Sequence, residues 1–419
     1  MANLLYLVHR MPYPPNKGDK VRSYHLLKHL AARHRVFLGT FVDDPDDMQH
    51  LPALRDLCAE VCAVPLNPAT ARLGSLLALA QGLPLTLRYY DHAAMHAWVR
   101  QLLARQPMDA TLVFSSSMAQ YAQPSAQPAA QQSPAAPILL DLVDVDSAKW
   151  TEYAARHAWP LSWLYRREGL RLLAYERAAV KQSALAFLVT DKEVALFNSL
   201  APDCQGRVEA IGNGVDADYF APAGHTTSPY GAGELPVVFT GAMDYWPNVD
   251  AVTWFAQAML PALRQRWPAL RFHIVGRNPT PAVRALASDA VVVSGTVPDV
   301  RPFLAHAAVV VAPLRLARGV QNKVLEAMAM ARPVVCAGPC AEAIDAEMER
   351  HLLAAETAQD YVLQINRLLA DADLASTLGR AGRQFVLDHF SWDARLSPID
   401  NLLSRLGIGS PSTTNYASA

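Results

Sequence analysis

The stretch RLARGVQNKVLEAMAMARPVV, residues 315–335, follows an apolar run at 307–314 and leads into another at 333–338. It reads as the turn and helix between two parallel strands. Gly319 frees the backbone at the turn. The helix expected over 320–331 is entered through Val320 and Gln321. Its first N–H groups and partial positive charge form a natural seat for a diphosphate. Arg315, Arg318 and Lys323 place cationic donors beside that seat. Glu326 falls one turn below Lys323 on the same helix face, where a carboxylate can accept hydrogen bonds from two ribose hydroxyls. A plain surface helix with a Lys–Glu pair and a buried Ala/Met face fits these residues equally well on local grounds.

The same alternation runs outward in both directions. Apolar runs at 4–8, 36–42, 60–66, 110–116, 138–144, 186–190 and 207–211 precede a second series at 237–243, 270–276, 291–297, 307–314 and 333–338. They are continuous rather than alternating, as parallel strands covered on both faces require. Helical patterns such as 21–34 and 249–267 separate them, which gives the α/β class with doubly wound sheets. Two Rossmann-like domains facing a cleft are expected. The first spans 1–220, a Pro/Gly/Ser/Thr-rich linker 221–236, and the second 237–390. A closing helix within 391–408 is expected to cross back to the first domain, and 409–419 to form a flexible tail. The Gln/Pro/Ala/Ser stretch 120–137 reads as a surface loop. Ligands of such sheets sit beyond the carboxyl ends of the strands.

Composition narrows the function. Of 419 residues, 52% are hydrophobic and 18% charged, enough for sizeable cores. A net charge of −1 argues against a nucleic-acid partner. The opening MANLLYLVHR reads as a first strand rather than a secretory signal, and the apolar run near 73–80 is cut by Gly82 and Pro84 before it could span a bilayer. The cysteines Cys58, Cys62, Cys204, Cys336 and Cys340 are odd in number and lack zinc-ligand spacing, so they read as reduced buried thiols. Neither a P-loop nor a G-x-S-x-G motif is present.

NKVLEAMA at 322–329, with RPVV after it, resembles the donor-site signature of family 4 glycosyltransferases of the GT-B fold. IGNGVDADYF at 211–220, FTGAM at 239–243, HIVGRNP at 273–279 and FSW at 390–392 resemble further segments of that family, in its order, over most of the chain. The wording of 12–20, 141–147 and 243–250 looks most like bacterial sugar transferases of exopolysaccharide and PEP-CTERM/exosortase systems. The resemblance implies sugar transfer from a nucleoside-diphosphate sugar, a UDP- or GDP-sugar, with retention, no metal and no cofactor beyond that co-substrate. It implies a lipid-linked or growing glycan acceptor and a cytoplasmic location, with peripheral contact at the inner membrane. This chain departs from the family twice. Of two glutamates eight positions apart, the second matches Glu326, but Arg318 stands at the first. The loop after Gly241 lacks the usual Arg and Lys, so diphosphate charge is expected to fall to Arg277, Arg318 and Lys323.

Two other loops carry candidates. The loop PYPPNKGDK brings Gly18 to a helix start, where its backbone can approach the donor phosphate, and on the acceptor side Lys17 and Arg22 are the side chains most able to reach a phosphate. DLVDVDS places Asp144 where the family often has a histidine beside the transferred sugar, an electrostatic role, with helix capping by Asp146 or Ser147 as the ordinary alternative. The segment from Trp159 and Trp163 through 165–181 fits either a helix resting on an anionic membrane or, preferably, an amphipathic helix whose apolar face is core. His9, His25 and His92 read as structural or surface residues rather than catalytic ones. Rival functions are a nucleotide-sugar epimerase of the same fold, a non-catalytic nucleotide-sugar-binding partner, and, more weakly, an NAD-dependent oxidoreductase.

Overall fold

The computed structural model describes residues 1–15, 18–122, 136–222, 227–315 and 320–408. They form two compact units: Met1–Asn213 with the segment from Arg395, and Gly214–Ala394.

The first unit is built on a parallel sheet of seven strands: β1 (Asn3–Val8), β2 (Arg35–Val42), β3 (Glu60–Pro65), β4 (Ala110–Phe114), β5 (Ile138–Val143), β6 (Leu185–Leu188) and β7 (Val208–Ala210). Their order is β3-β2-β1-β4-β5-β6-β7. Every residue of β4 and β6 is buried, which is why these strands read as unbroken apolar runs. Strand order reverses between β1 and β4, which leaves a crevice at their carboxyl ends.

The second unit repeats the plan with β8 (Leu235–Thr240), β9 (Leu270–Val275), β10 (Val291–Gly295), β11 (Val309–Ala312), β12 (Val334–Ala337) and β13 (Leu353–Ala355), in the order β10-β9-β8-β11-β12-β13 and parallel throughout. Its core holds Phe239, Phe255 and Phe272, with the last two rings 4.4 Å apart. Here the reversal falls between β8 and β11.

All twelve apolar runs read as strands are strands. β13 escaped the sequence reading because three residues, Leu-Ala-Ala, carry no periodicity. The single helix expected over 249–267 is three pieces: Trp246–Trp254, a π-helical turn Phe255–Met259, and Leu260–Arg266. Pro261 has no N–H to continue the ladder, so the helix resets there. The boundary between units lies at Asn213/Gly214, ahead of the 221–236 stretch, whose described part belongs to the second unit. Most of 120–137 and all of 409–419 lie outside the described residues. The final helix, Trp392–Arg405, starts in the second unit and ends in the first, where Asp400 Oδ2 sits 3.0 Å from His29 Nε2.

All five cysteines are free; Cys204, Cys336 and Cys340 are buried, whereas Cys58 and Cys62 are half-buried. Among the described residues no helix is long and apolar enough to cross a membrane.

Candidate functional site

The crevice at the carboxyl ends of β8 and β11 gathers most of the donor candidates. β8 ends at Thr240 and β9 at Val275, and the glycine after each meets the other. A Cβ on Gly276 would stand 1.6 Å from the Gly241 carbonyl oxygen, so no larger residue fits. A Cβ on Gly241 would meet Asn248 Nδ2 at 2.8 Å and Lys323 Cε at 3.4 Å. The Lys323 side chain therefore lies directly over this bare backbone.

Lys323 belongs to the helix Asn322–Ala329, whose N-cap residue Gln321 makes no capping hydrogen bond through its side chain. Its ammonium donates to Asn248 Oδ1 at 2.7 Å and sits 4.9 Å from the Phe239 ring centroid. Burial pulls its pKa down to about 8, partly opposed by the field of Glu326. Glu326, one turn on, is pushed by burial up to about 7, with Lys323 acting the other way. The two do not form a direct ion pair, and the Glu326 carboxylate makes no hydrogen bond with any described residue. A half-buried carboxylate without a partner among the described residues, a cation one turn away and a helix start free of a Gln321 cap can together receive a phosphorylated, hydroxyl-bearing ligand.

Val320 is exposed and Gln321 half-buried at the helix entry. Arg277 is exposed just beyond β9, and its carbonyl accepts from the Met243 N–H at 2.8 Å. Arg315 is committed elsewhere: its guanidinium pairs with both oxygens of Asp250 and lies over the Trp254 ring. Arg318 and Gly319 lie outside the described residues, as does Lys17. Sequence reading missed Asn248, which is buried and holds the Ala242 carbonyl through Nδ2 at 2.9 Å. Its only sequence signal was an amide in a loop entering a helix. Also missed was a pocket lined by Asn278, Arg284, Ser294, Gly295 and Thr296, beyond the ends of β9 and β10. Gly276 N–H donates to Gly295 O at 3.2 Å, so this pocket adjoins the glycine pair.

In the first unit Gly18 opens the helix Gly18–Ala31. Arg22, expected to reach a ligand, is instead 1% exposed. Its Nε donates to Asp141 Oδ2 at 2.8 Å and its Nη1 to Asn213 Oδ1 at 3.0 Å. It acts as a strut from this helix to β5 and to the end of the unit. The side chains that do gather beyond β1 are Arg10, paired with Asp19 at 2.7 Å and with Asp43 at 2.9 Å, and His9, 3.6 Å from Asp19. Despite its burial, Asp19 is held well below the usual carboxylate range by His9 and Arg10.

Asp144 stands one residue past β5, part-exposed, and its Oδ2 accepts from Lys149 Nζ at 2.8 Å. The chain turns there: Val143 has φ 68° and the β5–β6 register shifts between Asp141 and Val143. Neither Asp146 nor Ser147 caps the following helix, Asp146–Arg156. Two glutamates do so from outside. Glu193 accepts from Val145 N–H at 2.8 Å, and Glu176 accepts from Ser147 N–H at 3.3 Å and Oγ at 2.6 Å. Burial pushes Glu176 up to about 8. His92 is structural as expected, its Nδ1 accepting from Ala94 N–H at the start of Ala93–Arg105. Among the described residues no group of three His, Cys, Asp or Glu side chains is placed to hold a metal.

Comparison with curated proteins by sequence returns no match. Residues 234–371 match the family described as glycosyl transferases group 1. Solved structures share the fold across nearly the whole chain at low identity. A sucrose-phosphate synthase from Thermosynechococcus elongatus is 19% identical with a TM-score of 0.60, covering 97% of this chain and 99% of its own. A glycosyltransferase from Rickettsia africae is 12% identical with a TM-score of 0.60, covering 97% and 98%. HepE from Anabaena, solved in complex with UDP and glucose, is 17% identical with a TM-score of 0.54, covering 96% and 100%. The second unit thus carries a match to the group 1 glycosyl transferases, and the chain as a whole has the GT-B fold that these structures share.

Proposed function

We propose that this enzyme transfers a sugar from a nucleoside-diphosphate sugar, preferably a UDP-sugar, to a lipid-linked or growing exopolysaccharide acceptor at the cytoplasmic face of the inner membrane. The observation that carries the donor half is the unpartnered Glu326 carboxylate one helical turn from Lys323, beside the bare Gly241–Gly276 backbone. In this reading Glu326 accepts from the ribose hydroxyls. Lys323, Arg277 and Arg318 neutralise the diphosphate, while Gly241, Gly319, Val320 and Gln321 let the backbone approach it. Charge builds on the departing diphosphate in the transition state, so these donors lower the barrier without any metal. The pocket beside Gly295 is the natural place for the base. HepE, of the same fold, has been solved with UDP and with UDP-glucose, which favours uridine.

From the first unit Lys17 serves the acceptor side, Gly18 lets backbone approach the donor phosphate, and Asp144 acts electrostatically beside the transferred sugar. Arg22, being buried, acts by holding Asp141 at the foot of the Asp144 turn. The exopolysaccharide and PEP-CTERM assignment rests on the wording of 12–20, 141–147 and 243–250. Arg318 in place of the first glutamate favours one second reading, a nucleotide-sugar binder without turnover.

A thermal-shift screen against UDP, GDP, ADP, CMP and NAD tests the donor half, with Glu326→Ala alongside. Stabilisation by one nucleoside diphosphate, lost in the variant, supports it. Stabilisation without sugar release or transfer across an acceptor panel supports the binder. No shift with any nucleotide sinks both.

A further inference from the structure

The first unit exposes large apolar side chains in one region. Leu73, Leu76, Leu77 and Leu83 are all exposed, Leu73 to 71%. They lie on two short helices, Pro68–Ser75 and Leu77–Gln81, and the turn that follows. Trp159, 81% exposed, and Trp163 and Leu170 project from the start of the long helix Leu161–Gln182 and from the turn before it.

Sequence alone did not join these two groups; the hydrogen bonds do. Arg167 donates to the carbonyls of Leu83 at 3.1 Å and Ala78 at 3.0 Å. The buried Glu168 accepts from Leu85 N–H at 2.7 Å and from Thr86 N–H at 2.9 Å. The leucine segment is thus latched to the long helix at Arg167–Glu168, between Trp163 and Leu170, which flank that turn at helical spacing.

The exposed charge on these two segments has one sign, although the neighbouring helix Asp146–Arg156 exposes Glu152. Residues 61–90 contain Arg72 and Arg88 and no acid. The two glutamates of the long helix, Glu168 and Glu176, are both buried. Arg166 and Arg171 are exposed and form no ion pair with any described residue. The inner face of this helix is core, as the preferred reading required, and its outer face exposes Trp163 and Leu170 beside Arg166 and Arg171. Leucine and tryptophan interspersed with unpaired arginine match an anionic bilayer surface, where indoles and leucines enter the headgroup boundary and guanidinium groups meet phosphates. Large apolar side chains exposed on two segments latched together mark a surface suited to a partner or a membrane.

We propose that Leu73, Leu77, Leu83, Trp159, Trp163 and Leu170, with Arg72, Arg166 and Arg171, form a docking surface for an anionic phospholipid membrane. The proposal gives residues to the peripheral-membrane part of the function above, but it needs neither nucleotide binding nor transfer to hold.

Flotation of the full chain with phosphatidylcholine vesicles, with and without one third phosphatidylglycerol, tests it. Flotation with the anionic vesicles, weak with neutral ones and reduced by salt, is the expected result. Leu73→Ser/Leu77→Ser/Trp163→Ser should cut it about ten-fold. Arg166→Glu/Arg171→Glu should remove the preference for anionic lipid. These positions are exposed, so unfolding temperature should not move, and UDP stabilisation, measured on the same samples, reports separately on the donor site. Absence of flotation, or capture unchanged in both variants, overturns the proposal. So does concentration-dependent self-association abolished by the serine variant, which would assign the surface to a second copy of this chain.

Discussion

Lys323 Nζ donates to Asn248 Oδ1 at 2.7 Å, while the other half of the same amide holds the Ala242 carbonyl at 2.9 Å. One buried side chain thereby ties the helix Asn322–Ala329 to the loop after β8. Asn248→Ala should lower nucleoside-diphosphate affinity about ten-fold, the cost of releasing one hydrogen bond to a charged group. Lys323→Ala should cost more, roughly a hundred-fold, because the charge itself goes. Calorimetric titration of both variants decides; wild-type affinity in Asn248→Ala would mean that Lys323 is placed by packing alone.

A narrow pH window follows from the two shifted groups. Glu326, raised by burial to about 7, accepts from both ribose hydroxyls at full strength only when ionised, so affinity should fall as pH drops below about 7. Lys323, lowered by burial to about 8, loses its charge as pH rises past that value. Nucleotide affinity should peak between the two and fall by up to about ten-fold per pH unit on either side. Glu326→Gln should flatten the acid limb and leave the alkaline one. The effect on folding is separate: Glu326 lies above its unfolded value, so its contribution is full in acid and lost as pH rises through 7.

Gly276→Ala places a methyl 1.6 Å from the Gly241 carbonyl, contact that only a backbone shift can relieve. We expect a loss of roughly 3 kcal/mol in stability together with loss of nucleotide binding. Gly74→Ala is the matching control. A Cβ there meets nothing within 4 Å, and the site is helical, so it should stabilise by about 0.5 kcal/mol. Denaturant titration of both checks the contrast; equal stability in the two variants would show that the glycine pair is not tightly packed.

Arg277 and Arg315 look alike in sequence as candidate phosphate ligands. Arg315 is held by Asp250, whereas Arg277 is exposed beside the glycine pair. Arg277→Ala should weaken nucleotide binding by about ten-fold, and Arg315→Ala by less than about two-fold. The reverse ranking would move the diphosphate toward Asp250 and Trp254.

The fold was legible because buried parallel strands are continuous apolar runs, and these make up all but one strand of both sheets. What sequence could not convey was commitment. Arg22, Arg315 and Asp144 all have the chemistry of ligands, yet Asp141, Asp250 and Lys149 respectively already hold them. Each partner is remote along the chain or equally plausible as a solvated charge, so no local pattern reveals the pairing. Asn248 escaped for the opposite reason: a neutral amide announces nothing until the lysine that it orients is seen beside it. The alternative of a cap from Asp146 or Ser147 fails for the same reason, since the groups that cap Asp146–Arg156, Glu176 and Glu193, arrive from later segments.

The helix Trp392–Arg405, begun in one unit and finished in the other, sets an order of events during synthesis. When Asn213 leaves the ribosome the first unit lacks its last segment, and about 180 residues must follow before Arg395 appears. At ordinary elongation rates that is a wait of roughly 10–40 s. During it the surface around His29 is uncovered and the second unit can complete its sheet first. A nascent chain of this protein therefore closes its beginning last, and a fragment ending at Asn213 would emerge as an unfinished domain.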